Sequence, residues 1–149
     1  MADAKVILVM RDFRNWAASC LKRRDTARGK NELDVVQKLP QRAKLWMKHA
    51  RLAIRNPSWL TVISFNQWFQ DEEYRKRICA ELCIPFTDEG LNEVMAYGNG
   101  SSFDARRYNG KAQDMGVLER WHDFEFDPMM KQLYTGEVKA LDVELFGNG

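Results

Sequence analysis

Two short apolar runs constrain this chain more than any other feature. KVILVM (Lys5–Met10) and WLTVISF (Trp59–Phe65) are rich in β-branched and large apolar residues, and KVILVM shows no polar alternation. Runs of this kind suit strands buried on both faces, as in parallel sheets. About fifty residues of mostly helical pattern lie between them. A helical crossover joining two strands implies parallel pairing with a right-handed connection. The predicted class is therefore α/β, with a short parallel sheet followed by a largely helical C-terminal half.

Helical periodicity fills most of the remainder. Phe13, Trp16, Ala17, Cys20 and Leu21 recur at three- and four-residue steps, with Asp12 where an N-cap belongs. DTARGKN reads as a polar loop. The pattern resumes near Glu32 and continues through Leu45, Trp46, His49, Leu52 and Ala53. Pro40 is expected to end one helix and begin the next. Asn56-Pro57-Ser58 is a turn. A helix is predicted over Asp71–Cys83, a short one from Thr87 or Asp88 carrying Leu91, Val94 and Met95, and others near Gln113–Trp121, Pro128–Tyr134 and Gly136–Phe146. Gly147 is the expected C-cap.

The chain has 149 residues, the size of one domain, so residues 1–149 are read as a single unit. Hydrophobic residues make up 45% and charged residues 30%, a globular composition. No apolar run approaches the ~20 residues of a membrane helix, and the start lacks a signal-peptide pattern. Three cysteines, Cys20, Cys79 and Cys83, form no disulfide framework, which points to reduced thiols and a cytoplasmic setting. Cys79 and Cys83, four apart on one helix, are expected to pack in the core rather than bind zinc. Net charge is +2, but residues 1–55 hold 14 Lys/Arg against 5 Asp/Glu. Such a basic first third fits either an anionic ligand or a solvated helix face.

Two segments carry candidate chemistry. Arg11 falls at a strand end, where ligands of open α/β sheets bind and helix N-termini point. Ser19 lies two turns into the next helix and shares that crevice if the helix leans across the strand end. A guanidinium fork and a neutral hydroxyl together suit a dianionic phosphate; the alternative is a surface arginine and a small packing residue. The second segment, GNGSSFDARRYNGKA (98–112), combines Gly98, Gly100 and Gly110 with Arg106, Arg107 and Lys111, and interleaves Phe103 and Tyr108. Glycines admit close approach of backbone N–H groups to an anion, and aromatics beside cations suit a nucleotide. The alternative is an ordinary surface loop.

The succession of these segments resembles the PAPS-dependent sulfotransferases. In that family a strand leads into Arg-(Asn/Asp)-Pro and a helix with Ser at this spacing; here Arg11, Asp12 and Ser19 match, and Phe13 replaces the proline. A Trp-bearing helix around Trp46, a strand ending in a polar-aromatic turn, FNQWF, a helix running into Leu82-x-Ile84-Pro85, Ser101-Ser102-Phe103 and a basic glycine loop before Trp121 follow in similar order. The resemblance spans most of residues 5–121. It implies a partial P-loop-like three-layer fold and a site for PAPS or PAP. Arg11 and Ser19 would hold the 3′-phosphate. Ser102, Phe103, Arg106, Arg107, Gly110 and Lys111 would belong to the loop that closes over the nucleotide.

The family's Lys/Ser/Gly/Thr-rich loop for the 5′-phosphosulfate precedes the strand that here begins four residues into the chain. The resemblance thus predicts either a piece of a longer protein or a sheet edge covered by a second copy or partner chain. No catalytic residue is assigned. His49 sits on an apolar face near Trp46. His122 stands beside Asp123, Glu125 and Asp127, an alternation that suits solvated acids better than a metal, so no metal is expected. The leading expectation is sulfuryl transfer from PAPS to a hydroxyl or amine acceptor. A non-catalytic nucleotide- or polyanion-binding module and a nucleic-acid-binding protein using the basic first third remain as alternatives.

Overall fold

The computed structural model describes residues 5–26, 30–97 and 100–147, with side chains throughout except at 25, 26 and 30–36. Strand β1 (Val6–Met10) leads into helix α1 (Phe13–Thr26), and helix α2 (Lys30–Arg55) returns the chain to strand β2 (Leu60–Ser64). Helices α3 (Phe65–Gln70) and α4 (Glu72–Glu81) follow. Beyond them lie turns and the 3₁₀ segments Ala112–Asp114 and Arg120–Phe124, then α5 (Pro128–Leu133) and α6 (Gly136–Phe146). The protein is α/β, predominantly helical, with a two-stranded sheet. β1 and β2 pair in parallel in the register Val6↔Leu60 through Met10↔Ser64. Among the described residues no helix is long and apolar enough to cross a membrane.

The two sheet faces are covered unequally. Leu8, Met10 and Val62 share one face, and all three join the main core with Phe13, Leu21, Leu39, Trp46 and Leu141. On the other face Ile63 packs against Tyr74 and Ile78 of α4. That cover reaches only β2, so Ile7 and Val9 of β1 are 48% and 58% exposed. The expectation that both strands are buried on both faces is thus met by β2 and not by β1.

Phe13 is the hub of the core. It has no exposed surface and its ring lies 5.3 Å from Trp16, 5.2 Å from Trp46 and 6.1 Å from Tyr134.

Expected and observed elements differ at several places, and the helix expected near Gln113–Trp121 is instead a 3₁₀ turn at Ala112–Asp114, further turns and the start of the 3₁₀ segment Arg120–Phe124. Pro40 lies inside α2, which runs through it. Leu39, Ala43, Trp46, Ala50 and Ala53 form one buried stripe across the proline, and packing of that stripe offsets the lost backbone hydrogen bond. The segment after Thr87 makes isolated turns, closed by Leu91 N to Asp88 O and Glu93 N to Gly90 O, instead of a helix. FNQWF, expected as a turn, forms α3, because Ser64 caps it by accepting from the Gln67 N–H. Finally, α4 ends at Glu81, and Cys83 follows with φ +57° and faces solvent, so only Cys79 packs inside.

Candidate anion-binding site

The site grows from the end of β1. Two carboxylates organise the turn into α1. Asp12, fully buried, accepts from the Asn15 N–H at 2.9 Å as the N-cap. Asp142 of α6, also fully buried, accepts from the Phe13 N–H at 2.7 Å and from the Tyr134 hydroxyl at 3.0 Å. The first turn of α1 is therefore occupied by the protein's own acids. The Phe13 and Asn15 N–H groups are thus not available to an external anion, which side chains would have to hold instead.

Asp12 also accepts from the Asn66 amide at 2.9 Å, tying β1's end to α3. The Asn15 amide donates to Leu118 O at 2.7 Å, and its oxygen accepts from the Trp121 N–H at 3.1 Å. These bonds fix the Val117–Trp121 stretch beside Arg11.

Arg11 is held on every side. Its carbonyl accepts from Trp46 Nε1 at 3.0 Å, and its guanidinium lies 5.0 Å from the Phe65 ring centroid. Nη1 donates to Ser19 Oγ at 3.3 Å, and Nη2 donates to Val117 O. Ser19 in turn donates to Asn15 O at 3.1 Å. Burial brings the Arg11 pKa down to about 10, opposed by neighbouring Asp12 and reinforced by Arg120, so Arg11 stays cationic at neutral pH. Its Nε is buried and makes no hydrogen bond.

Arg120 is a second cation beside Arg11 that sequence reasoning did not single out. It donates to Ser101 Oγ and Asp104 Oδ2, each at 2.8 Å, and lies 4.8 Å from the Phe103 ring centroid. Burial lowers its pKa, against the pull of Asp104. Arg42 was also missed. Its guanidinium lies close enough to the Cys20 thiol that Arg42, with Arg23 and Arg11, counters the burial that raises the thiol pKa. Arg11 and Arg42 line one cavity of ≈ 380 Å³ with Trp16, Trp46 and His49. The clustering of basic residues in the first third was the only sequence signal for Arg42.

The predicted residues divide into two groups. Arg11 and Ser19 are brought into contact, and Phe103 reaches the same core through Arg120. Ser102 is half-buried in the tight turn closed by Ser101 and Ala105, where Gly100 passes so close that a Cβ would stand 2.5 Å from Ala105 O. Arg106, Arg107, Gly110 and Lys111 are exposed. Arg107 and Lys111 flank the Tyr108 ring at 5.6 and 5.7 Å, and the Gly110 N–H donates to Asn92 O. Among the described residues, no hydrogen bond, ion pair or ring contact joins these four to Arg11 or Ser19. Gly98 lies outside the described residues.

Of the two histidines, His49 is half-buried at the cavity and His122 is exposed, 3.0 Å from Glu119. Chemically, the cavity offers the guanidinium groups of Arg11 and Arg42 and two indole rings, with the Ser19 hydroxyl bonded to Arg11 outside its lining. It can neutralise a compact anion and stack a planar group beside it. Comparison of the chain with protein-family models, with curated proteins and with solved structures finds no match.

Proposed function

We propose that this protein is a sulfotransferase-like domain of P-loop-like ancestry that binds the 3′-phosphate of PAPS or PAP. One observation carries the reading: Arg11 at a strand end and Ser19 two helical turns later meet at 3.3 Å. A dianionic phosphate displacing that bond accepts from Arg11, and from Ser19 when its proton turns away from Asn15 O, with Arg120 adding positive potential nearby. Trp16 or Trp46 supplies a face for the adenine, and the 101–111 loop closes from the Arg120 side. Sulfuryl transfer to a hydroxyl or amine then rests on positioning and charge neutralisation, as in phosphoryl transfer.

A thermal-shift comparison of adenosine 3′,5′-bisphosphate with 5′-AMP tests this. At a hundredfold excess over Kd, a specific ligand stabilises by about 2.7 kcal/mol. For a domain of this size that raises Tm by about 5–10 °C. The bisphosphate gives that shift and AMP gives little. Equal shifts contradict the reading. Stabilisation by duplex DNA that vanishes steeply with salt replaces it with nucleic-acid binding.

A further inference from the structure

A second cavity of ≈ 470 Å³ opens on the other side of α1's first turn, between that turn, α3 and the Leu118–Trp121 stretch. Its distinguishing group is Arg14. The guanidinium lies 4.0 Å from the Trp121 ring centroid and 5.4 Å from that of Tyr134. Its Nε is buried without a hydrogen bond, and no carboxylate forms an ion pair with it among the described residues. The cation also lies in the field of buried Asp142, yet it makes no hydrogen bond among the described residues, so its donor fork is unspent.

The other walls are mostly neutral and polar. Asp12, Asn15 and Asn66 bond one another and the backbone, so their polar groups are largely occupied. Gln67 and Gln70 are exposed at the rim, and their side-chain amides make no hydrogen bond among the described residues. Ser64 Oγ accepts from the Gln67 N–H and still has its own proton to donate. Glu119 adds one negative charge at the edge, shared with His122.

We infer that this cavity binds a small polyhydroxy monocarboxylate. The carboxylate pairs with the Arg14 fork, and the hydroxyls bond Gln67, Gln70 and Ser64. A second carboxylate on the ligand meets the negative charge of exposed Glu119 at the cavity edge, which sets the preference for one charge. The cavity is separate from that of Arg11, so this inference stands or falls independently of the nucleotide reading.

Gluconate, sorbitol and glucarate share one carbon skeleton and carry one, no and two carboxylates. Calorimetric titration of the full chain with each tests the inference. Gluconate binds about tenfold or more tighter than sorbitol, and tighter than glucarate. Arg14→Gln removes the preference over sorbitol. Gln67→Leu, on the exposed rim where folding is undisturbed, weakens gluconate severalfold. Adenosine 3′,5′-bisphosphate does not displace gluconate. Absence of gluconate binding, equal binding of sorbitol, glucarate binding as tight as gluconate, an unchanged preference in a folded Arg14→Gln protein, an unchanged Gln67→Leu affinity, or displacement by the bisphosphate would each overturn the assignment.

Discussion

Asp12 and Asp142, from opposite ends of the chain, converge on the first turn of α1, where each accepts a backbone N–H and neither has any exposed surface. Burial raises the Asp142 pKa above its ordinary 3.8, with Asp12 adding to the rise, while the Phe13 N–H and the Tyr134 hydroxyl oppose it. A raised folded-state pKa means that the protonated form is favoured on folding. That contribution is fully present below the unfolded pKa and is lost as pH rises through the folded one. Asp142→Asn keeps an acceptor for Phe13 and removes the titration. Its stability relative to wild type should therefore increase as pH rises from 4 to 7, as measured by urea unfolding at each pH. A constant difference would contradict this.

Phe13 stands where the resembling family has proline, and it organises the aromatic core against Trp16, Trp46 and Tyr134. Removing a fully buried phenylalanine costs about 3–5 kcal/mol. Phe13→Ala should lose that much in chemical denaturation, and a loss below about 1 kcal/mol would show that the core collapses around the gap.

Pro40 interrupts the backbone ladder of α2 without ending the helix. Alanine restores the missing donor and has the higher helix propensity. Pro40→Ala should stabilise the protein by roughly 1–3 kcal/mol. Destabilisation would mean that a bend at Pro40 is needed to seat Leu39 and Ala43, which are 0% and 3% exposed.

Arg75 is buried beneath the 87–91 turns and donates to both oxygens of Asp88, at 2.8 and 2.7 Å, and to Trp68 O. Hydrogen bonding to Arg75 holds the Asp88 carboxyl below its ordinary 3.8. A depressed pKa contributes stability above the unfolded value that is lost as pH falls. Asp88→Asn should therefore lower Tm at pH 7, and the gap to wild type should narrow below pH 4. A gap that persists undiminished at pH 3 would assign the effect to packing.

The parts legible in the sequence are those set by local periodicity. Both strands, the parallel crossover, α1 with its Asp12 cap, and the left-handed close of α6 at Gly147 (φ +67°) follow from short-range patterns. The Arg11–Ser19 contact was legible because a strand end and two helical turns fix where each side chain can reach. What escaped depends on long-range packing. Pro40 is overridden by a stripe that spans it. Arg14, Arg42 and Arg120 look like any surface arginine until Trp121, Cys20 and Asp104 are brought beside them. Asp142 sits in a short helical segment, and nothing near it in sequence reveals that its partner is the Phe13 N–H, 129 residues away.

The most direct measurement is calorimetric titration of adenosine 3′,5′-bisphosphate and 5′-AMP into wild type, Arg11→Ala and Ser19→Ala. Hydrogen bonds to charged groups contribute about 1.5–3 kcal/mol, which is about 10–100-fold in affinity for Arg11. Loss of a neutral donor at Ser19 should cost about 2–10-fold. The account predicts that wild type prefers the bisphosphate, that Arg11→Ala loses this preference and that Ser19→Ala weakens it. Binding that ignores the 3′-phosphate, or an Arg11→Ala protein that binds as wild type does, would contradict it.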